Sequence, residues 1–172
     1  TGLAAPFALS VSSINIAAND SATVTLSFNP TTVGYYTDSL GWTGSIYGNG
    51  TLTLNGEGVQ VSITTNTDSI NMGSISVGVA ITDSIILYNT GTGTMEISNI
   101  SSNNTDFTVS PTTATIAQGA SMHVNITYNP VFSGLSTATI VIASNDPNNP
   151  TYNIFIECTA VSEISGVLCG TL

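Results

Sequence analysis

The chain has 172 residues, 41% of them hydrophobic and only 6% charged, and it contains no Lys or Arg. Ten Asp and Glu against one His give a formal net charge of −10, so nothing neutralises phosphates, and nucleic acid and anionic membrane surfaces are excluded as partners. The same absence removes Schiff-base and Walker lysines, arginine fingers and bidentate phosphate clamps, and whole reaction classes with them.

From the amino end, the chain reads as short strands separated by turns. Ala22, Val24, Leu26 and Phe28 alternate with polar residues, the period of a half-buried strand. A turn with Asn29-Pro30 and Gly34 follows, then a strand with Leu40 and Trp42 on its inner phase, then a strand with Leu52 and Leu54. Strands are next predicted over 61–65, 70–77, 81–88 and 95–100, separated by Gly- or Asn-rich turns.

From Phe107 onward the chain repeats itself at an offset of 100 that holds without a gap as far as Val161. Phe7 falls on Phe107, Ile16 on Ile116, Val24 on Val124, Asn29 and Pro30 on Asn129 and Pro130, Gly34 on Gly134, and Glu57 on Glu157. Alternation agrees along with identity, because Met122, Val124, Ile126 and Tyr128 repeat the earlier set. No window carries helical periodicity.

The predicted fold is therefore all-β: tandem immunoglobulin-like antiparallel β-sandwiches, the first lacking its front strands. Residues 1–60 are read as the C-terminal part of a first repeat, 61–160 as a complete repeat, and 161–172 as a linker or the first strand of a third. Half a sandwich leaves its inner face open unless strands come from an upstream segment or, by strand addition, from another subunit. No run of about 18 apolar residues occurs and the opening residues lack a signal-peptide pattern, so neither membrane insertion nor an export signal is expected.

The run from Asn89-Thr-Gly through Phe107-Thr-Val-Ser-Pro, Ile116-Ala-Gln-Gly, Tyr128-Asn-Pro and Gly134 to Ser144-Asn-Asp-Pro-Asn-Asn-Pro resembles the choice-of-anchor D and HYDIN-type immunoglobulin-like repeats, related to the ASPM, SPD-2, Hydin group. Residues 7–60 resemble the second half of that pattern, with Gly44 to Gly50 in place of the Asn-Asp-Pro loop. The resemblance implies tandem modules of large secreted microbial surface proteins, serving in adhesion, scaffolding or fibre building, without enzyme activity. The cytoskeletal branch is expected to carry basic surfaces, from which this chain departs.

Few residues offer chemistry. His123 lies out of phase with Val124 and Ile126, so it faces solvent, and no nucleophile elbow accompanies it. Glu57 and Glu157 are repeat equivalents, placed a domain apart rather than as a glycosidase pair. The loop from Ser144 to Pro150 offers oxygen donors but one carboxylate, Asp146, so a hairpin turn closed by Asn and Asp is the reading preferred to calcium. No catalytic residue, metal site or cofactor is assigned.

Cys158 and Cys169 are the candidate pair for one disulfide across a short loop. Trp42 aligns with Ile142 and is assigned to the core. Tyr35, Tyr36 and Tyr47 are the candidates for a partner or glycan patch, with packing and ordinary surface as the plainer reading. Without lysines to guard them, sheet edges are open to strand pairing with neighbours. The expected role is an extracellular or cell-surface structural segment that assembles with other copies or neighbouring repeats. A module binding a glycan or host protein is the alternative.

Overall fold

The computed structural model describes residues 2–44 and 48–162. The chain divides into two compact units, Thr1–Gln60 and Val61–Leu172.

The first unit holds β1 (Phe7–Leu9), β2 (Leu26–Phe28), β3 (Gly34–Gly44) and β4 (Gly48–Gly58), paired antiparallel as β1–β2 and β3–β4. Only Leu26–Phe28 of the strand expected from Ala22 onward is formed, and the second unit shows why. There, Ser121–Tyr128 is paired along its whole length by one neighbour, whereas its other neighbour reaches only Asn125 to Tyr128. The first unit has a counterpart of the shorter neighbour alone, so pairing fades at Thr25, whose carbonyl accepts the Ser10 N–H at 2.9 Å, and residues 22–24 have no ladder to join.

The long hairpin β3–β4 is amphipathic. Leu40, Trp42, Leu52 and Leu54 share the inner face, and Thr37, Ser39, Thr51 and Thr53 share the outer one, as alternate Cβ directions require. Phe28 of β2 lies against this inner face, where a Cβ on Gly56 would fall 2.6 Å from its ring. Phe7 packs on Phe28 at 4.9 Å between ring centroids, and Tyr36 meets Phe28 edge-on at 5.9 Å. Asp38, also inward, accepts the Ala4 N–H at 2.8 Å and ties the amino end to the hairpin.

The second unit is an immunoglobulin-like β-sandwich. Its strands are β5 (Ile63–Thr65), β6 (Ser69–Ser76), β7 (Ile81–Asn89), β8 (Met95–Ser102), β9 (Phe107–Ser110), β10 (Ala114–Ile116), β11 (Ser121–Tyr128), β12 (Gly134–Ser144) and β13 (Thr151–Val161). One sheet runs β10-β8-β12-β13-β6 and the other β5-β7-β11-β9. The expectation of a wholly antiparallel sandwich is corrected at one place, where β6 pairs parallel to β13. The cause is a change of sheet: β5 pairs with β7, the chain turns at residues 66–68, and β6 continues in the same direction on the opposite sheet beside the last strand. Asn66 holds this turn by accepting the Ile86 N–H at 2.8 Å, and Tyr152 donates to Asp68 at 2.7 Å.

Between the sheets lie Ile85, Leu87, Val124, Ile126 and Tyr128 from one side and Met95, Ile100, Ile140, Ile142, Ile154 and Ile156 from the other, all without solvent contact or nearly so. Each such side chain contributes roughly 1.5–3 kcal/mol of burial, enough for this layer to stabilise the unit.

Pairing follows the 100-residue offset at one place and departs from it at another. Phe7 opposes Phe28 as Phe107 opposes Tyr128, with the rings in contact in both units, tilted at 36° in the first and stacked in the second. In the hairpins, however, Gly34 opposes Gly58 while Gly134 opposes Ala160, a shift of two residues against the ungapped register. The first hairpin turns in the short step from Gly44 to Gly48, where a Cβ on Gly44 would fall 2.9 Å from the Gly48 carbonyl. The second is held wider by its Asp146 loop. A shift of two preserves the side-chain phase, so the apolar face still points inward.

Candidate functional site: the open face of the first unit

The inner face of the first unit is apolar by sequence and bare in the structure. Trp42 is 53% exposed, Leu52 52%, Leu26 40% and Val24 39%, and Ile16 is exposed as well. At an offset of 100, Ile142, Ile126 and Val124 are fully buried and Ile116 nearly so. The assignment of Trp42 to the core is thereby corrected: it lies over Gly50, whose missing Cβ makes room for the indole, with its other side open. In the second unit the corresponding face is covered by the opposite sheet, β5-β7-β11-β9, and among the described residues the first unit has no counterpart of β5 or β7.

The edges of the hairpin are bare too. In the second unit β12 is flanked by β8 and β13 by β6, whereas β3 and β4 pair only with each other among the described residues. Free N–H and C=O rows beside an exposed apolar face form a template for an added strand.

The outer face is polar. Tyr35 is 83% exposed and hydrogen-bonded to Glu57, whose hydrogen bond and charge push the phenol pKa up. A shallow groove of about 270 Å³ lies here, lined by Tyr35, Tyr36, Thr37, Asn55, Gly56 and Glu57. Tyr36 itself projects to the inner face, where its hydroxyl bonds Thr32 Oγ1 at 2.6 Å, so Tyr35 and Tyr36 serve opposite faces of one hairpin. Tyr47 lies outside the described residues.

His123 is exposed on β11. Glu57 opposes Tyr35, while Glu157 accepts the Asn71 amide at 2.6 Å. Asp146 is buried, and its carboxylate accepts the N–H groups of Ile63 at 2.9 Å, Asn148 at 2.8 Å and Asn149 at 3.2 Å. Burial alone would raise its pKa, but these bonds outweigh it and the net shift is downward. Its oxygens thus close the 144–150 turn and hold the entry of β5. Among the described residues no three His, Cys, Asp or Glu side chains gather into a cation cluster.

Cys158 is buried as a free thiol, its sulfur donating to the Gly73 carbonyl at 3.4 Å, and burial pushes its pKa up. Cys169 lies outside the described residues. Two features escaped the sequence reading. Asn89 is a buried clamp, donating to the carbonyls of Gly93 at 2.8 Å and Ile116 at 3.0 Å; its signal was the Asn-Thr-Gly turn. Phe132, 83% exposed beside exposed Val131 and Leu135, forms an apolar tip where the first unit has Thr31 and Thr32.

Fold and site together define a non-helical, immunoglobulin-like module preceded by a partly bare β-unit. Residues 62–159, more than half of the chain, match the HYDIN/CFA65/VesB-like Ig-like domain family, and the chain belongs to that family. Among solved structures it is similar to the ASH/PapD-like domain 7 of human CEP192, with 15% identity, a TM-score of 0.53, and 59% of this chain and 86% of that one covered. A Porphyromonas gingivalis W83 protein of unknown function matches at 17% identity and TM-score 0.54 over 92% of this chain and 86% of that one. A family 123 glycoside hydrolase from Clostridium perfringens matches at 8% identity and TM-score 0.51, over 62% of this chain and only 28% of the hydrolase. These likenesses are of fold. Among curated proteins none matches.

Proposed function

We propose that the chain is a non-enzymatic, extracellular structural segment of tandem immunoglobulin-like repeats, in which the first unit is the rear half of a repeat and assembles by strand addition into a fibre or surface layer. The observation that carries this reading is the open inner face, where Trp42, Leu52 and Leu26 stand exposed although they alternate as core residues do. Exposed apolar patches of this kind mark association surfaces. The sequence supports the location: with no Lys or Arg, the chain offers trypsin-like proteases no cleavage site. The resemblance to choice-of-anchor D repeats supports a secreted microbial surface protein.

Sedimentation velocity at rising concentration tests the reading, with negative-stain imaging of the largest species. Assembly is expected to grow with concentration and to shift Trp42 emission, the only tryptophan signal in the chain, toward the blue. A strictly monomeric protein with unchanged red emission would refute it.

A second reading is favoured by the outer groove, where the exposed Tyr35 ring stands beside Glu57, Asn55 and Thr37, an aromatic face with polar neighbours suited to a sugar or a partner protein. A glycan array read with wild type and Tyr35→Ala decides it. Binding lost in the variant supports an adhesin, and no binding removes that role.

A further inference from the structure

We infer that the outer groove beside Tyr35 is a docking site for an arginine side chain of a different protein, the guanidinium lying on the Tyr35 ring with its N–H groups on the Glu57 carboxylate. This rests on the reading of the outer groove as a partner site and names the partner's chemistry.

The site is built by strand register. β3 and β4 set Tyr35 opposite Glu57 and Thr37 opposite Asn55, with Tyr36 opposite Gly56 between them. Alternate residues of a strand point to opposite faces, so the backbone of Tyr36 and Gly56 floors the groove and the other four side chains wall it. All four are exposed, Tyr35 at 83%. The Tyr35 phenol is hydrogen-bonded to Glu57, which holds the carboxylate at the rim of the ring. That bond uses one of about four acceptor positions on a carboxylate, so the others stay open to a ligand.

The face stays accessible in a unit that has both its sheets. In the second unit the matching outer face of β12 and β13 carries Thr137, Asn153 and Phe155, all exposed. Access to Tyr35 therefore does not depend on what covers the inner face of the first unit.

Charge selects the occupant. The groove is lined by one carboxylate, and the chain has no Lys or Arg to pair with it, within a net charge of −10. A field of that sign draws in basic partners. A guanidinium is planar, weakly hydrated and forked, so it stacks on an aromatic face and bonds a carboxylate at once, which the compact ammonium of lysine does less well. A neutral sugar uses the ring but leaves the charge of Glu57 unanswered. A second copy cannot fill the groove in this way, because it brings no arginine. The groove is therefore a contact for a different protein, separate from any contact between copies.

Glu157 supplies a matched control. It opposes Thr137 and accepts the Asn71 amide at 2.6 Å, so it carries the same charge without a ring opposite. The full chain is titrated into a fluorescently labelled Gly-Ser peptide bearing Arg, read by anisotropy at low ionic strength, beside versions with Lys or citrulline in place of Arg. A labelled neutral glucose oligosaccharide is the sugar probe. The Arg peptide is expected to bind more tightly than the Lys peptide, and the citrulline peptide not at all. Glu57→Gln and Tyr35→Leu are each expected to weaken the Arg peptide by at least about three-fold, the size of an exposed cation–π contact, whereas Tyr35→Phe, which keeps the ring, and Glu157→Gln, which removes the same charge elsewhere, stay within about two-fold of wild type. A Lys peptide bound as tightly as the Arg one, equal losses for the two glutamates, or an Arg peptide held no better than its citrulline form would overturn the inference. Sugar binding that Tyr35→Leu abolishes, with no preference for Arg, would overturn it while leaving the groove as a ligand site. If neither probe responds to Tyr35 or Glu57, both readings fall.

Discussion

Val24 and Val124, Leu26 and Ile126, and Trp42 and Ile142 occupy matching positions of one alternating pattern, yet the first of each pair is exposed and the second wholly buried. The difference teaches that alternation creates an apolar face without covering it. In the second unit β5 to β8 supply the facing layer and the outer ladders, and in the first unit the same pattern ends in solvent. Burial belongs to the pair of layers, not to the strand.

The widest test of that comparison is truncation at matched positions. Ile126→Ala is expected to cost about 2–5 kcal/mol, the range for an aliphatic residue removed from a packed core. Leu26→Ala is expected to cost under about 1 kcal/mol in dilute monomer, because its side chain already meets water. Urea unfolding of both variants reads the difference, and equal costs would break the contrast between the units.

Next in size is the Asp146 clamp, which has no counterpart in the Gly44 to Gly48 turn. Asp146→Ala strands the N–H groups of Ile63, Asn148 and Asn149, at a cost of about 1–3 kcal/mol. The wild-type contribution depends on pH with a definite sign. The folded pKa is lowered, so the stabilisation is complete above the unfolded value near about 4 and is lost as pH falls through the lower folded value. Acid unfolding followed by circular dichroism is expected to show wild type losing its advantage over Asp146→Ala below that point. A gap that stays constant down to low pH would show that the carboxylate charge is not what holds the turn.

The smallest effect sharpens the comparison from the other side. The Tyr128 hydroxyl is buried with no hydrogen-bond partner, and the matching position holds Phe28. Tyr128→Phe is therefore expected to leave stability unchanged or raise it by up to about 1 kcal/mol, since it removes an unsatisfied polar group and keeps the ring stacked on Phe107 at 4.5 Å. A clear loss in thermal melting would mean that the hydroxyl finds a partner, such as a buried water.

Strand positions in the second unit were legible because its sequence obeys one period: the strands expected over 81–88 and 95–100 became Ile81–Asn89 and Met95–Ser102. Less legible was anything set by a partner strand. The shortfall of β2, the two-residue shift of the first hairpin and the parallel β6–β13 pair all depend on which edges meet. Periodicity is blind to edges. At the candidate site, the sequence singled out Tyr35, Tyr36 and Tyr47 for their aromatic excess, whereas coordinates put Tyr35 and Tyr36 on opposite faces and brought forward Trp42, Leu52 and Leu26 instead. A residue drawn toward a core and a residue drawn toward a partner have the same chemistry, so only the presence of a facing layer separates them.

By itself, then, the sequence determined the all-strand architecture, the inner and outer phase of each strand, and the lack of any Lys or Arg side chain on its surfaces, since these follow from local alternation and from composition. Tertiary structure alone decided which apolar faces are closed. A buried surface is a relation between segments distant in the chain, and that relation exists around Ile126 and not around Leu26.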